Sequence, residues 1–516
     1  MRLWGINFGL PALYRPDEDV TVGRAMGILR GVLDPHFGDW PHLVFNVTAL
    51  WLAPLQLIGV VHDQASAYLA GRVLSALAGT VLVLLVFDFG RRAYGPLAGA
   101  FAGTALAVAF LPVRDSHFAT PDIALALACT LALYIAYRTI AARSLAPLAL
   151  NGIALGIAAG TKYNGALVFT SMAAAQLLRA RLQESRLMLV IGRLAVIALI
   201  AIATLAITSP FLILDPSITA HGLAYIVHHL GTATAPSIGW VELSRALWLG
   251  IDPALLLLGV IGAGYAAWRR SPADLILLAF VLVYFAVIGT GRSVFFRYAD
   301  PLVPPLLLLG GRVLADLAGA ARAGRVRQLA IAAAIVVILV PSLLHDATYD
   351  QLILQTDTRT LAYDWLQQHV PAGSVVAVPY FAGPAHDQAM VNSGAHSHGA
   401  TDAYVKSFLD GRLETQYHTV ELSASDLQQS SLDRLRAQGV DYVVIGYEAP
   451  GTGCTIESRL ELLLAHDKVP LAIFSPTSGC PSSSFDPIDS YYVPLAGYGG
   501  WQRPGPPIRI YRIATS

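Results

Sequence analysis

The chain is short of charge, short of lysine and short of cysteine. Only 13% of its 516 residues are charged, against 55% hydrophobic. An ordinary globular chain is roughly 25% charged. So apolar a composition excludes a disordered chain and a solenoid of polar repeats. The 34 Lys+Arg and 34 Asp+Glu cancel, and no long basic run exists, which argues against a nucleic-acid partner. The deficit fits a chain partly dissolved in lipid, where charged side chains are costly. Lysine occurs three times, at Lys162, Lys406 and Lys468, against 31 arginines. Cysteine also occurs three times, at Cys129, Cys454 and Cys480.

The charges that are present are not evenly spread. From Asp346 onward there are 10 basic and 18 acidic residues, which leaves 24 basic and 16 acidic in the first 345. The first part is basic and apolar, the second acidic and polar. The division predicts a first outer loop at 1–65, a membrane domain at 66–345 and a soluble domain at 346–516. A span needs about 20 apolar residues. Runs that fit lie near 66–90, 95–112, 121–141, 146–160, 164–178, 189–210, 246–267, 273–290, 299–318 and 327–345. The stretch 42–62 contains His42, Asn46, Pro54 and Gln56 and reads as an interfacial helix.

Loop charge orients these spans. One alternating set of loops holds Arg91, Arg92, Arg138, Arg143, Arg179, Arg181, Arg186, Arg193, Arg269, Arg270, Arg322, Arg325 and Arg327. The positive-inside rule makes that set cytoplasmic. The loops 1–65, 113–120, 161–163, 211–245 and 291–298, and the domain after 345, then face outside. Span centres carry almost no ionisable residues, whereas proton-coupled transporters place acids or histidines near the midplane. Chemistry is therefore expected in the outer loops.

Those loops hold the candidate site residues. Asp17 and Glu18 follow Pro16, and a carboxylate there could act as a general base, although the spacing alone fits a solvated acidic turn. In Arg114-Asp115-Ser116-His117-Phe118-Ala119-Thr120-Pro121-Asp122, the Thr-Pro pair opens a helix and Asp122 falls in its first turn. Lys162, in Gly160-Thr161-Lys162-Tyr163-Asn164-Gly165, is the only lysine before residue 406. It could snorkel to lipid headgroups or hold a phosphate as a point charge. Arg297-Tyr298 suits bidentate phosphate contact or an interfacial aromatic belt. His228 and His229 are weak metal candidates, since neighbours in sequence do not share a helical face.

After residue 345, helices are expected at 357–369, 430–438 and 455–466. Strands are expected at 375–378, 441–445, 469–474 and 507–513, an alternation that favours a packed α/β sheet. Cys454 and Cys480 would lie in an oxidising compartment, where a disulfide is expected. His386, His396 and His398 sit in a Gly-rich loop without the spacing of a known metal site.

In order and placement, these motifs resemble the GT-C superfamily of membrane glycosyltransferases. The likeness is to bacterial dolichyl-phosphate-mannose–protein mannosyltransferase-like proteins and lipid A aminoarabinose transferases. It is carried by LYRPDEDVTVGRA at 13–25, RDSHFATPD at 114–122, GIAAGTKYNG at 156–165, SPFLILDP at 209–216 and FRYADPLVPPLLLL at 296–309. The resemblance implies a polytopic α-helical membrane protein of about ten spans with an extracytoplasmic α/β domain, in the inner membrane of a bacterium. It implies transfer of a sugar from a polyprenyl-phosphate donor to a lipid, glycan or protein hydroxyl, with inversion. Asp17 would be the base, with Glu18 and Asp122 beside it. Lys162, Arg297, Arg114 and Tyr298 would hold the donor phosphate. A divalent metal is bound by some members, and no other cofactor is implied. Members begin with a span leading into the Asp-Glu loop, so a span ahead of Met1 is expected. The competing readings are a carrier or flippase for lipid-linked saccharides and a non-catalytic envelope-binding protein.

Overall fold

A computed structural model describes all residues except 16, 143, 145, 185, 233–236, 321–323, 380–415, 423–431, 447–458, 468, 489–491 and 514–516. The described residues form two compact units. The first comprises Met1–Leu3, Arg24–Leu57 and Ala70–Ala347, and the second Trp4–Gly23, Ile58–Leu69 and Thr348–Ser516.

The first unit is helical. Among the described residues of both units, five stretches are long and apolar enough to cross a membrane: Gln64–Tyr94, Asp122–Thr139, Leu187–Thr208, Phe296–Ala320 and Gln328–His369. These make the chain an integral membrane protein. Four apolar helices are shorter, namely Leu43–Leu57, Pro96–Ala107, Ala146–Thr161 and Pro272–Ile288. Leu43–Leu57 falls in the stretch read as interfacial. Its 15 residues rise only about 22 Å, less than a hydrocarbon core.

The run expected as one span at 246–267 is broken. Helices Gly239–Gly250 and Pro253–Arg269 meet at 119°. Pro253 disfavours helical backbone in the residue before it, and Asp252 sits at φ 61°. Inside the unit, Ala146–Thr161 packs along Leu187–Thr208, and Val303–Ala320 packs between Pro253–Arg269 and Pro96–Ala107. On helix Pro272–Ile288, Ser271 caps the N-terminus and Asp274 completes a capping box.

The second unit contains a five-stranded sheet. Its strands are β1 (Val375–Pro379), β2 (His418–Leu422), β3 (Tyr442–Ile445), β4 (Ala472–Phe474) and β5 (Ile508–Arg512), in spatial order β2-β1-β3-β5-β4. β1 pairs parallel with β2 and β3, while β5 pairs antiparallel with β3 and β4. Strand side chains alternate between faces, and both faces here are apolar. Ala377, Val443, Ile445 and Tyr511 pack on one face with Leu435, Leu460 and Leu464 from helices Leu432–Ala437 and Arg459–Asp467. Val376, Val378, Val444, Ile508 and Ile510 pack on the other with Ala362 and Leu366 of helix Thr358–His369.

The expected helices and strands of this region reappear with shifted ends. β2 was not expected. Its sequence His-Thr-Val-Glu-Leu carries too little apolar signal to stand out. Cys480 is disulfide-bonded, and Cys129 is free and buried. Cys454, His386, His396 and His398 lie outside the described residues.

Candidate functional site

In the first unit, three loops distant in sequence bring their charged residues together. Asp122 opens helix Asp122–Thr139 and is buried. Its Oδ1 accepts a hydrogen bond from Lys162 Nζ at 2.7 Å, and its Oδ2 lies 3.9 Å from Arg297 Nε. One carboxylate thus holds two cations at the positive end of a helix dipole. Lys162 Nζ also lies 5.1 Å from the centre of the Tyr298 ring, and the Arg297 guanidinium lies 4.5 Å from the Phe295 ring centre. Rings of this kind attract a cation without neutralising it.

The backbone around Lys162 explains how it is presented. Lys162 is extended (φ −151°, ψ 147°) between helix Ala146–Thr161 and a 3-10 helix, Tyr163–Val168. Gly165 closes the turn, donating to the Lys162 carbonyl at 2.9 Å. A Cβ at Gly165 would lie 2.1 Å from the Ala158 carbonyl oxygen, so the turn requires glycine there. Asn164 Nδ2 donates to the Tyr284 hydroxyl at 2.9 Å, and that hydroxyl donates to the Tyr298 carbonyl at 3.1 Å. The Lys162 turn and the Arg297-Tyr298 turn are therefore tied through one tyrosine.

Arg114 is fully buried, with Nε 3.4 Å from Asp115 Oδ1. Asp300, also buried, interacts with Asp115, Asp122 and Arg114. Sequence reasoning quoted Asp300 only as part of its motif and gave it no role. Its place immediately before Pro301, two residues after Tyr298, was the available signal. Arg114, Lys162 and Arg297 thus alternate with Asp115, Asp122 and Asp300.

In the second unit, Asp17 is half-buried at φ 71°, a left-handed conformation uncommon outside glycine. Its carbonyl accepts from the Thr21 amide at 3.1 Å, so Asp17 stands at the head of helix Glu18–Leu29. Glu18 and Asp19 follow in the first turn, and Glu18 is fully buried. Backbone strain of this sort concentrates at functional sites.

The loop carrying Asp17 is pinned three residues earlier. The Tyr14 hydroxyl and Thr360 Oγ1 share a hydrogen bond of 2.7 Å. The Arg359 guanidinium lies 3.8 Å from the Tyr14 ring centre and 5.0 Å from that of Tyr492. Arg359 also donates to both Asp357 oxygens, at 2.9 and 2.8 Å, and both residues are buried.

Among the described residues, neither weak histidine candidate gathers metal ligands. His228 is exposed, and His229 stacks between Tyr225 and Phe295. Among the described residues, the group able to hold a metal is Asp34, His36 and Asp215. About 180 positions separate Asp215 from the other two, so no spacing in the sequence connects them.

Comparison with known proteins follows this geometry. The family model described as dolichyl-phosphate-mannose-protein mannosyltransferase matches residues 57–213, a segment containing Arg114, Asp122 and Lys162. Asp17 and Arg297 lie outside it. No curated protein sequence matches the chain. The crystal structure of the Archaeoglobus fulgidus oligosaccharyltransferase in the apo form aligns at 13% identity and a TM-score of 0.51, covering 86% of this chain and 67% of its own. ArnT from Cupriavidus metallidurans, solved bound to undecaprenyl phosphate, aligns at 15% identity and a TM-score of 0.46, covering 100% of this chain and 96% of its own. The chain is a membrane protein that shares its fold with the Archaeoglobus fulgidus oligosaccharyltransferase, and over residues 57–213 it resembles the dolichyl-phosphate-mannose–protein mannosyltransferases.

Proposed function

We propose that the protein transfers a sugar from a polyprenyl-phosphate donor to an acceptor hydroxyl on the extracytoplasmic face of a bacterial inner membrane. The observation that carries this reading is the Lys162–Asp122–Arg297 cluster. It concentrates two cations on one buried carboxylate, in loops that charge alternation places outside. The family description of the matched segment, which names a dolichyl-phosphate sugar, supports the donor class.

In this mechanism the acceptor oxygen attacks the anomeric carbon while Asp17 takes its proton. The bond from that carbon to the phosphate oxygen breaks, and its electron pair leaves with the lipid phosphate. Lys162, Arg297 and Arg114 offset the charge that develops there. A phosphate is already a good leaving group, so no protein acid is needed, unlike a glycosidase with its two carboxylates. A single displacement inverts the anomeric centre. Asp122 is assigned a positioning role, because its oxygens are occupied by the cations it orients. Glu18, buried in the first helical turn, is assigned to supporting Asp17. Tyr298 packs beneath the Lys162 ammonium. The acceptor can be a lipid, a glycan or a protein hydroxyl. The C-terminal domain is assigned to the same outer face.

The test is transfer by membranes containing the protein and labelled polyprenyl-phosphate sugars. Asp17→Asn should lower the rate by about a hundredfold to ten-thousandfold, the range for general acid–base catalysis. Full activity in that variant would remove Asp17 as the base. Movement of the labelled lipid across the bilayer without bond formation would instead make the protein a carrier.

A further inference from the structure

We propose that Arg179 and Arg193 bind the phosphate of an anionic phospholipid, on the side of the membrane that loop charge assigns to the cytoplasm. The site belongs entirely to the first unit and does not depend on the transfer reaction. Arg179 lies in the last turn of helix Phe169–Leu182, and Arg193 lies near the start of helix Leu187–Thr208. A short connection joins the two helices, with Glu184 at φ 50°.

Neutral groups hold the two side chains in place. Arg179 Nη2 donates to the Ser144 carbonyl at 2.9 Å. Arg193 Nη2 donates to Gln183 Oε1 at 3.2 Å, and Gln183 Nε2 donates to the Ala142 carbonyl at 3.1 Å. The Gln183 amide donates in turn to the Arg179 carbonyl at 3.0 Å. Both guanidinium groups are thereby fixed from one side by carbonyl and amide oxygens, none of which carries a charge.

Their remaining donors point to an anion. Arg179 is only 1% exposed. Among the described residues, its Nε and Nη1 have no hydrogen-bond partner, and neither does the buried Nη1 of Arg193. The positive charge of Arg193 also acts on Arg179, so two like charges stand together. Between Asp122 and Asp215 the only acidic residue is Glu184, and it is exposed. A buried guanidinium is ordinarily paired with a carboxylate, as Arg312 is with Asp274 and Arg359 with Asp357.

The simpler account is a pair of snorkelling arginines at a membrane interface. A snorkelling side chain ends in water, which the buried head of Arg179 does not. The last turn of a helix does favour a cation, but it gives no acceptor to Nε and Nη1 and no reason for a second cation beside the first. One phosphate diester answers both, since its two charged oxygens accept charge-assisted hydrogen bonds from more than one arginine. The flanking surface identifies the source of that phosphate. Leu182, Leu187, Met188 and Ile191 are exposed around the two arginines, a surface suited to acyl chains. Basic pockets between membrane helices on the cytoplasmic side recognise anionic headgroups in this way.

The test uses delipidated full-length protein in neutral detergent. It is titrated separately with dioctanoyl phosphatidylglycerol, dioctanoyl phosphatidylcholine and inorganic phosphate, and binding is followed by native mass spectrometry and thermal melting. The expected result is saturable binding of the phosphatidylglycerol, tighter than that of either other probe, with a melting temperature that rises as the site fills. Arg179→Gln and Arg193→Gln should each weaken that binding by about tenfold or more, the worth of a charge-assisted hydrogen bond. Arg193 is only half-buried, so its variant keeps the test open should Arg179→Gln fail to fold. Arg269→Gln, which removes an exposed arginine from another loop on the same side, should bind as the parent does. The proposal is overturned if the parent binds no phosphatidylglycerol saturably, or if it binds phosphatidylcholine or inorganic phosphate at least as tightly. It is also overturned if Arg193→Gln keeps the parent's affinity.

Discussion

Both units bury arginine against aspartate, and they do so in opposite ways. In the second unit Arg359 is saturated. It makes two short bonds to Asp357, and it has one aromatic face at 3.8 Å and another at 5.0 Å. In the first unit Arg297 stands 3.9 Å from Asp122, and Arg114 stands 3.4 Å from Asp115. Bidentate arginine–carboxylate geometry gives rigidity and strength. The first-unit group instead draws two cations from separate loops, Lys162 and Arg297, around the single buried carboxylate of Asp122. The difference teaches that burial of charge does not by itself identify function. A pair closed within one turn fastens, whereas cations gathered from distant loops build a candidate site.

The comparison can be broken or sharpened by substitution. The largest effect is expected at Lys162. Lys162→Ala should lower transfer by about a hundredfold to a thousandfold, the usual loss of one group that stabilises a developing anion. Donor-concentration curves of the folded variant measure it, and an unchanged rate would detach the cluster from the reaction. Next comes Arg359→Ala, which leaves Asp357 buried without its partner and should cost about 3–5 kcal/mol of stability. Thermal melting reads that loss, and a melt equal to the parent's would show that the clamp is not a fastening. Tyr14→Phe removes the hydroxyl that bonds Thr360 and should cost about 1 kcal/mol, read in the same way.

The smallest effect concerns pH. Burial raises the Glu461 pKa above the ordinary carboxylate value, partly opposed by Arg509. An acid held more tightly protonated in the folded state favours folding below its unfolded pKa of about 4.3, and that contribution fades as pH rises through the folded value. Relative to the parent, Glu461→Gln should therefore gain in melting temperature as pH rises from about 4.3 toward neutrality. A difference that stays constant with pH would contradict the assignment.

The long apolar helices were legible because their apolar runs are long. The break at Asp252–Pro253 was not, since the apolar run continues across it and outweighs one proline. Lys162 could be singled out because lysine is scarce, and Asp122 because Thr120-Pro121 marks a helix start. Their shared bond could not be read, since 40 residues separate them. Asp300 was hidden within a motif read for its arginine. Tyr14 was quoted only as a neighbour of the acids, and its link to Thr360 spans 346 positions.

That last separation has a consequence for how the molecule is made. Trp4–Gly23 belongs to the same compact unit as Thr348–Ser516, so the segment bearing Asp17 has its packing partners at the far end of the chain. Loop closure over such a distance comes late in folding, after local contacts have formed. During synthesis, the intervening helices emerge before that segment can meet its partners. A chain interrupted before residue 348 would hold its helices but leave the Tyr14–Asp17 turn unfastened. Completion of the polypeptide would then act as the condition for fastening the turn that bears Asp17.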